Sequence, residues 1–150
     1  ATTMQMIHLS DPNFSQLPRF LAPNEQTLAF SAIQKSFVAL DTENRSLANP
    51  VSADSTPVAG DIEDIGTNSA LVATRLSQMV SNLHYQLGMQ LMHSAQAVDL
   101  RLRLNPKLQL STATRQLFDA YRRRVEMITE DRPLTPDINL SAQFLRDYSL

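Results

Sequence analysis

A single proline-free segment limits what this chain of 150 residues can fold into. From Thr67 to about Arg103 there is no proline, and apolar residues recur three or four positions apart, interrupted only by Gly88. This spacing places them on one face of an α-helix: Val72, Leu76, Met79, Leu83, Leu87, Leu91 and Val98. At about 1.5 Å per residue the helix would be on the order of 50 Å long. A small domain cannot cover it, so we expect a bundle larger than this chain, or an oligomer.

Shorter helices are predicted on both sides of the long one. From Glu25 to about Asn44 an apolar face is formed by Phe30, Ile33, Phe37 and Leu40. After Asn105-Pro106, Ser111 or Thr112 can cap a helix whose apolar face comprises Leu117, Phe118, Tyr121, Val125 and Ile128. Thr135 followed by Pro136 has the pattern of an N-cap and first helical residue, and it predicts a short last helix.

Three prolines in residues 10–24 predict a mostly extended or turning segment there. With no Trp, three Gly and eight Pro, the chain as a whole is predicted to be all-α, one domain built as a fragment of a long-helix bundle.

One long connection, residues 47–66, is rich in Pro, Gly, Ser and Asp, and connections of this length are often functional. It contains three carboxylates in four positions, Asp61, Glu63 and Asp64. Their spacing does not match the twelve-residue calcium loop, so we predict no metal site. The simpler interpretation is a solvated acidic loop whose charges favour the N-terminus of the next helix, by about 0.3–1 kcal/mol each.

The histidines give no catalytic or metal-binding pattern. His84 and His93 lie nine positions apart on the long helix, so they face opposite sides and cannot share a metal within one chain. Each is expected at a surface or an interface. His8 has no nearby Ser or Asp arrangement that would indicate a nucleophilic triad.

Composition excludes several classes of partner. Thirteen Lys and Arg against fifteen Asp and Glu give a net charge of −2, too weak a field to attract nucleic acid or an anionic membrane. The run Arg122-Arg123-Arg124 is therefore expected on a solvated or ion-paired helix face. The methionines of the long helix, Met79, Met89 and Met92, are expected to pack in the core or in an interface.

The absence of Cys indicates a reducing compartment, with the cytoplasm expected. No apolar run is long enough to span a membrane or to form a signal peptide. A first residue of Ala1 instead of Met fits a segment of a longer protein.

Several motifs, in order and spacing, resemble the C-terminal region of the aromatic amino-acid ammonia-lyases, most closely the histidine type. Residues 17–21, Leu-Pro-Arg-Phe-Leu, are similar to the family's Leu-Pro-Pro-Phe-Leu, and residues 43–50, Glu-Asn-Arg-Ser-Leu-Ala-Asn-Pro, to its Glu-Asn-Lys-Ala-Leu-Ala-His-Pro. Residues 95–101, Ala-Gln-Ala-Val-Asp-Leu-Arg, and 131–138, Asp-Arg-Pro-Leu-Thr-Pro-Asp-Ile, resemble two further signatures. The resemblance covers nearly the whole chain.

The resemblance implies a mainly helical lyase of the fumarase and aspartase kind that assembles as a homotetramer with active sites shared between subunits. It also implies a methylidene-imidazolone electrophile made from an internal Ala-Ser-Gly, which this sequence lacks. The family's base tyrosine and substrate-orienting arginine would lie upstream of the matched region. We therefore expect this segment by itself to be inactive and to hold no cofactor.

Glu63 is the catalytic residue that the resemblance assigns to this chain. Counting without a gap brings Ile62-Glu63-Asp64 onto the family's Gln-Glu-Asp, and Glu at this place favours an imidazole substrate, because the phenylalanine and tyrosine types commonly have Gln there. The next residues, Ile65-Gly66-Thr67-Asn68, depart from the histidine enzymes' His-Val-Ser-Met. A register shifted by three would place Gly60 at the carboxylate position instead, but it needs a compensating gap before Gln96.

Two hypotheses of different classes follow. In the first, the chain is the C-terminal portion of a histidine ammonia-lyase-like enzyme, or of a related aminomutase, that acts on an aromatic amino acid. In the second, it is a non-catalytic helical assembly or binding module derived from the same family.

Overall fold

The computed structural model describes residues 1–53, 57–60, 62, 66 and 68–148. Within them the chain forms six α-helices and a 3₁₀ turn: α1 Thr2–Ser10, α2 Pro12–Ser15, the turn Arg19–Leu21, α3 Ile33–Leu47, α4 Ser69–Leu104, α5 Thr112–Arg122 and α6 Thr135–Asp147. The all-α prediction is confirmed.

The long helix α4 is the element around which the others are arranged. Helices α1, α3 and α6 all pack against it. It ends at Leu104 because Asn105, in extended conformation, precedes Pro106. The core beside it is built from large side chains of several elements that are almost completely buried: Met6, Leu21, Phe30, Phe37, Met89 and Tyr121.

Helix α3 begins at Ile33, eight residues after the predicted start at Glu25. In between, side chains capture the backbone: Asn24 accepts hydrogen bonds from Gln26 N and Thr27 Oγ1. The Asp131 carboxylate accepts from the N–H groups of residues 28 and 29. Polar side chains that bind nearby backbone N–H groups compete with helix formation, and here one comes from a distant part of the chain.

Cap residues account for the other helix boundaries. Ser111 caps α5 by accepting from Thr114 N, as predicted, but α5 ends at Arg122 and not near Ile128. Thr135 is not an N-cap, since that position belongs to Leu134 and has no side-chain hydrogen bond. In the proline-rich opening, Asp11 caps a short helix that starts at Pro12, because proline's fixed φ suits the first turn of a helix.

The predicted apolar face of α4 exists but is largely uncovered. Val72, Leu76, Leu83 and Leu87 are 38–58 % exposed. The buried face of α4 instead consists mostly of amides and small or flexible residues: Asn82, Gln86, Gly88, Met89, Met92, His93, Ala95, Gln96, Ala97 and Leu100. The described part of the chain therefore leaves the leucine and valine stripe without a partner, as the length of α4 led us to expect.

Gly88 allows α4 and α6 to approach closely. A Cβ added at this position would lie 2.8 Å from Ala142 N and 3.1 Å from the Ser141 carbonyl carbon. Both atoms belong to the backbone of α6, so the contact could be relieved only by moving the helix.

We predict that Gly88→Ala lowers the free energy of unfolding by about 1–3 kcal/mol, the usual cost of overpacking, although alanine is the better helix former. Gly66→Ala is the matched control, because a Cβ there meets nothing within 4 Å. Urea unfolding followed by circular dichroism measures both. Equal stability of the Gly88 variant and the wild type would contradict this packing.

Candidate functional site

Glu63, the predicted catalytic residue, lies outside the described residues, as do Asp61 and Asp64. The connection that carries them is described at both ends: residues 47–53, its outgoing arm, are held by α4, and Asn68, at the end of its returning arm, is the N-cap residue of α4. The site can therefore be built from the residues that hold this connection at its base.

The outgoing arm is held by Arg75 of α4. Its Nε donates to Leu47 O at 2.9 Å and its Nη2 to Ser46 O at 2.7 Å. The returning arm is held by Asn68, whose Nδ2 donates to Val51 O at 2.9 Å. Arg75 did not stand out in the sequence, because it belongs to no charge cluster and to none of the family motifs. Asn68 appeared there only as the last residue of the departure at residues 65–68.

A largely apolar cleft of about 340 Å³ opens between the outgoing arm and α4. It is lined by residues 47–52 of the arm and by Val72, Arg75, Leu76 and Met79 of the helix. Val72 and Leu76 belong both to this cleft and to the exposed apolar stripe of α4, so the stripe extends to the start of the connection.

Next to this connection, helices α3 and α4 are joined through side-chain amides. Asn82 Nδ2 donates to Asn44 Oδ1 at 3.1 Å, and Gln78 Nε2 donates to Asn82 Oδ1 at 2.9 Å. Gln86 Nε2 lies 3.5 Å from Phe37 O. Asn82 and Gln86 are buried, and buried amides of this kind fix the register of two helices because each needs its own partner.

The signature at residues 95–101 has a structural role in this chain. Gln96 is 1 % exposed; its Nε2 donates to Leu21 O and Ile128 O, and its Oε1 accepts from Ile128 N. Asp99 pairs with Arg122 at 2.6 Å, which confirms the ion-paired interpretation of that arginine. Arg101 donates to Ser15 O at 2.7 Å.

The signature that begins at Asp131 is structural as well. Asp131 holds the turn before α3, and Arg132 Nη2 lies 3.0 Å from Asp137 Oδ2 at the start of α6. Arg132 also donates to the backbone carbonyls of Met127 and Glu126. This motif fastens the C-terminal segment to the rest of the chain.

The prediction that His93 lies at a surface or an interface is wrong. It is completely buried, with its ring stacked on Phe30 at 4.1 Å and edge-on to Phe37 at 5.8 Å. Its Nδ1 donates to Met89 O at 2.7 Å, and Nε2 has no hydrogen-bonding partner among the described residues. Burial lowers the pKa of His93 to about 4 against an ordinary 6.5, only partly opposed by the Met89 bond.

The remaining candidates are structural or solvent-exposed. His84 is half-buried, with Nδ1 2.9 Å from Val80 O, and His8 stacks on the exposed ring of Phe14. No group of three His, Asp or Glu side chains that could hold a metal occurs among the described residues. None of the described helices is long and apolar enough to cross a membrane.

Two further pKa values are shifted by burial. Burial raises the pKa of Asp99 above its ordinary value, although the Arg122 guanidinium acts in the opposite direction. Burial also raises the pKa of Tyr121 to about 12. The Tyr121 hydroxyl bonds to Ser141 Oγ at 2.7 Å, and Ser141 in turn donates to Asp137 O. Both groups hold helices together, so neither is available as a base.

The described residues form a helical architecture centred on one long helix, which in the sequence follows an acidic connection. The family profile described as "Aromatic amino acid lyase" matches residues 1–123. The chain is 35% identical over 135 residues to a histidine ammonia-lyase of Sorangium cellulosum, covering 89% of the chain and 26% of that relative. It is 33% identical over 138 residues to a tyrosine ammonia-lyase of Cupriavidus metallidurans, covering 91% of the chain and 25% of the relative.

Solved structures give the same result. The ergothioneine-degrading enzyme ergothionase of Treponema denticola superposes with a TM-score of 0.89 at 40% identity, covering 97% of this chain and 29% of that one. Histidine ammonia-lyase of Trypanosoma cruzi gives 0.89 at 26% identity, with 97% and 28% covered. A phenylalanine aminomutase of Pantoea agglomerans gives 0.87 at 28%, with 96% and 28% covered.

The chain belongs to the aromatic amino acid lyase family. It spans about a quarter of the length of the curated relatives that it matches. The resemblance in the motifs is thus confirmed.

We predict that the buried His93 makes the chain lose stability in mild acid. Because its folded pKa of about 4 lies below the unfolded 6.5, protonation favours unfolding. The stabilisation is complete above about pH 6.5 and is lost as pH falls toward 4. Between pH 7 and 4.5 the loss amounts to about 2–3 kcal/mol.

The measurement is urea unfolding at pH 7 and 4.5 for the wild type and His93→Phe, which keeps an aromatic ring in the stack. The variant should lack this part of the pH dependence, whereas His84→Phe, at a half-buried position, should retain it. The same pH dependence in the wild type and His93→Phe would show that His93 does not titrate in this way.

Proposed function

We propose that this chain is the C-terminal portion of a histidine ammonia-lyase-like enzyme that eliminates ammonia from an aromatic amino acid, with histidine to urocanate favoured. Membership of the aromatic amino acid lyase family supports the reaction class. The observation that carries the choice of substrate is Glu63 in the gapless register, which the buried Gln96 signature anchors at its far end. A carboxylate can accept a hydrogen bond from an imidazole N–H, which a phenyl ring cannot offer.

The electrophile of this chemistry has to come from outside the present sequence. A methylidene-imidazolone forms from an Ala-Ser-Gly triplet, and none occurs in these 150 residues. The chain therefore cannot supply the group, we assign no step through it, and we propose that the segment alone is inactive. An upstream coding sequence without Ala-Ser-Gly would overturn the proposal that the parent is an enzyme and would favour a non-catalytic assembly module.

A second candidate substrate is ergothioneine. Identity to the Treponema ergothionase is 40%, against 26% to the Trypanosoma histidine ammonia-lyase, at the same TM-score of 0.89. Histidine and ergothioneine both carry a five-membered ring derived from imidazole, so a carboxylate at Glu63 suits either. The departure at Gly66 and Asn68 from the histidine-type motif also favours a substrate other than unmodified histidine.

We predict that the full-length parent eliminates ammonia from histidine, or the corresponding amine from ergothioneine, faster than it eliminates ammonia from phenylalanine or tyrosine. Glu63→Ala should lower the rate on the preferred substrate by a factor of about 10²–10³, the scale of losing one positioned polar group in a site. Absorbance of the unsaturated acid product measures it. Glu130→Ala, a change at an exposed glutamate, serves as the control.

Three outcomes count against specific parts of this proposal. An unchanged rate in Glu63→Ala would remove Glu63 from the mechanism. A preference for tyrosine or phenylalanine would overturn the imidazole-type substrate. A β-amino acid product would show that the parent is an aminomutase and not a lyase.

We further propose that the parent is a homotetramer. The exposed apolar stripe of α4 would lie in its subunit interface, packed against helices of another subunit. Val80 and Leu83 are 46 % and 44 % exposed, and from Leu76 to Val98 the helix contains no Asp, Glu, Lys or Arg. Depletion of charge together with exposed aliphatic side chains is typical of the core of a stable interface.

In the full-length parent, Leu76→Asp combined with Leu83→Asp should convert the tetramer into smaller species, measured by sedimentation velocity. Leu104→Asp is the control, because Leu104 is 70 % exposed and follows Arg103 outside the uncharged segment. Loss of helical circular dichroism without smaller folded species would instead mean that the parent's own upstream helices cover the stripe. An intact tetramer would contradict the interface.

A further inference from the structure

The connection between α3 and α4 is closed at its base by two side chains of the following helix. Arg75 lies in the second turn of α4 and reaches back to the last carbonyls of α3. Asn68 is the N-cap residue of α4, with φ at 48°, and its side chain reaches back to Val51, 17 positions earlier. Val51 and Asn68, the described residues on either side of the segment that carries Glu63, are therefore in direct contact.

The Arg75 contact determines the direction in which the chain leaves α3. The last carbonyls of a helix lack partners within the helix, and Arg75 binds two successive ones, Ser46 O and Leu47 O. A guanidinium presents its donors in a planar, rigid fork, so it fixes both carbonyls in orientation as well as in position. Local hydrogen bonds from Ala48 N and Asn49 N then complete the turn.

We propose that Arg75 is a positioning residue for Glu63, with Asn68 as the second tie of the same loop. This inference rests on the proposed function, in which Glu63 contacts the substrate. Displacing a reacting or binding group by about 1 Å costs on the order of 10²-fold in rate. Arg75 acts only through the loop and is assigned no contact with the substrate.

The first test uses the full-length parent enzyme. Arg75→Met should lower kcat/KM by about 10–100-fold, and Arg75→Lys, which keeps a donor but not the fork, by less. In a Glu63→Ala background the same Arg75→Met change should have almost no further effect, because a residue that acts through Glu63 has nothing left to position. Multiplying effects of the two changes would overturn the proposal.

Arg101→Met is the matched control. Arg101 lies on the same helix and also donates through Nη2 to a backbone carbonyl, Ser15 O, at 2.7 Å, but at the opposite end from the loop. It should cost similar stability and leave kcat/KM within about twofold of wild type. If Arg101→Met lowers kcat/KM as much as Arg75→Met, the Arg75 effect is general destabilisation and the proposal fails.

The second test needs no enzyme activity and also uses the full-length parent. Glu63 is the one glutamate in residues 48–68, so cleavage by a glutamyl endopeptidase after Glu63 reports how firmly the loop is held. Arg75→Met and Asn68→Ala should each speed this cleavage about tenfold, and Arg101→Met should not. Unchanged cleavage would show that these side chains do not restrain the loop.

The two tests separate this proposal from the one on which it rests. If Glu63→Ala leaves the parent's rate unchanged while Arg75→Met speeds cleavage, the loop is restrained as described but Glu63 is not catalytic, and the positioning role is overturned. If Glu63→Ala lowers the rate while Arg75→Met changes neither rate nor cleavage, the proposed function stands and this inference fails.

Discussion

The side-chain amide of Gln96 is the contact on which the rest of this fold depends. It joins the C-terminal third of α4 to the carbonyl of Leu21 and to both backbone groups of Ile128. Because Gln96 is 1 % exposed, loss of the amide would leave three backbone groups without water or partner, at about 1–3 kcal/mol each. An apolar contact could slide by a turn of helix, whereas three directed hydrogen bonds admit one register. The N-terminal turn and the segment after α5 are thereby set on the same stretch of α4.

Polar contacts of this kind also explain why α4 has its larger apolar side chains on the outside. Within the chain, α4 meets α3 through Asn82 and Gln86 and meets α6 through Gly88, contacts that need small or directional groups. The leucines and valines of the predicted face remain exposed at Leu76, Leu83 and neighbouring positions. Specific contacts thus organise this segment internally, while its broad apolar surface is available to other helices.

The sequence predicts the helices better than it predicts what they pack against. Proline positions and apolar spacing give α4 nearly to the residue, and Ser111 gives the start of α5 because capping is a local interaction. The start of α3 was wrong because the competing carboxylate, Asp131, lies 102 positions from Ala29 along the chain, and no local pattern reports it. His93 was misplaced for a related reason: its burial depends on Phe30 and Phe37, whereas helical spacing indicates only that it faces away from His84. The placement of Glu63 stays a prediction.

The motifs that identify the family are, in this chain, the parts that build its architecture. Gln96, Asp99 and Arg101 bind other segments, and Asp131 with Arg132 fastens the C-terminal segment. Such motifs can stay unchanged while the substrate changes, which agrees with similar identities to a histidine and a tyrosine ammonia-lyase, 35% and 33%. In the proposed enzyme, substrate choice would then depend on residues outside these motifs. The connection before α4 meets that condition, because its base is fixed by α4 while its sequence departs from the histidine-type pattern directly after the proposed carboxylate.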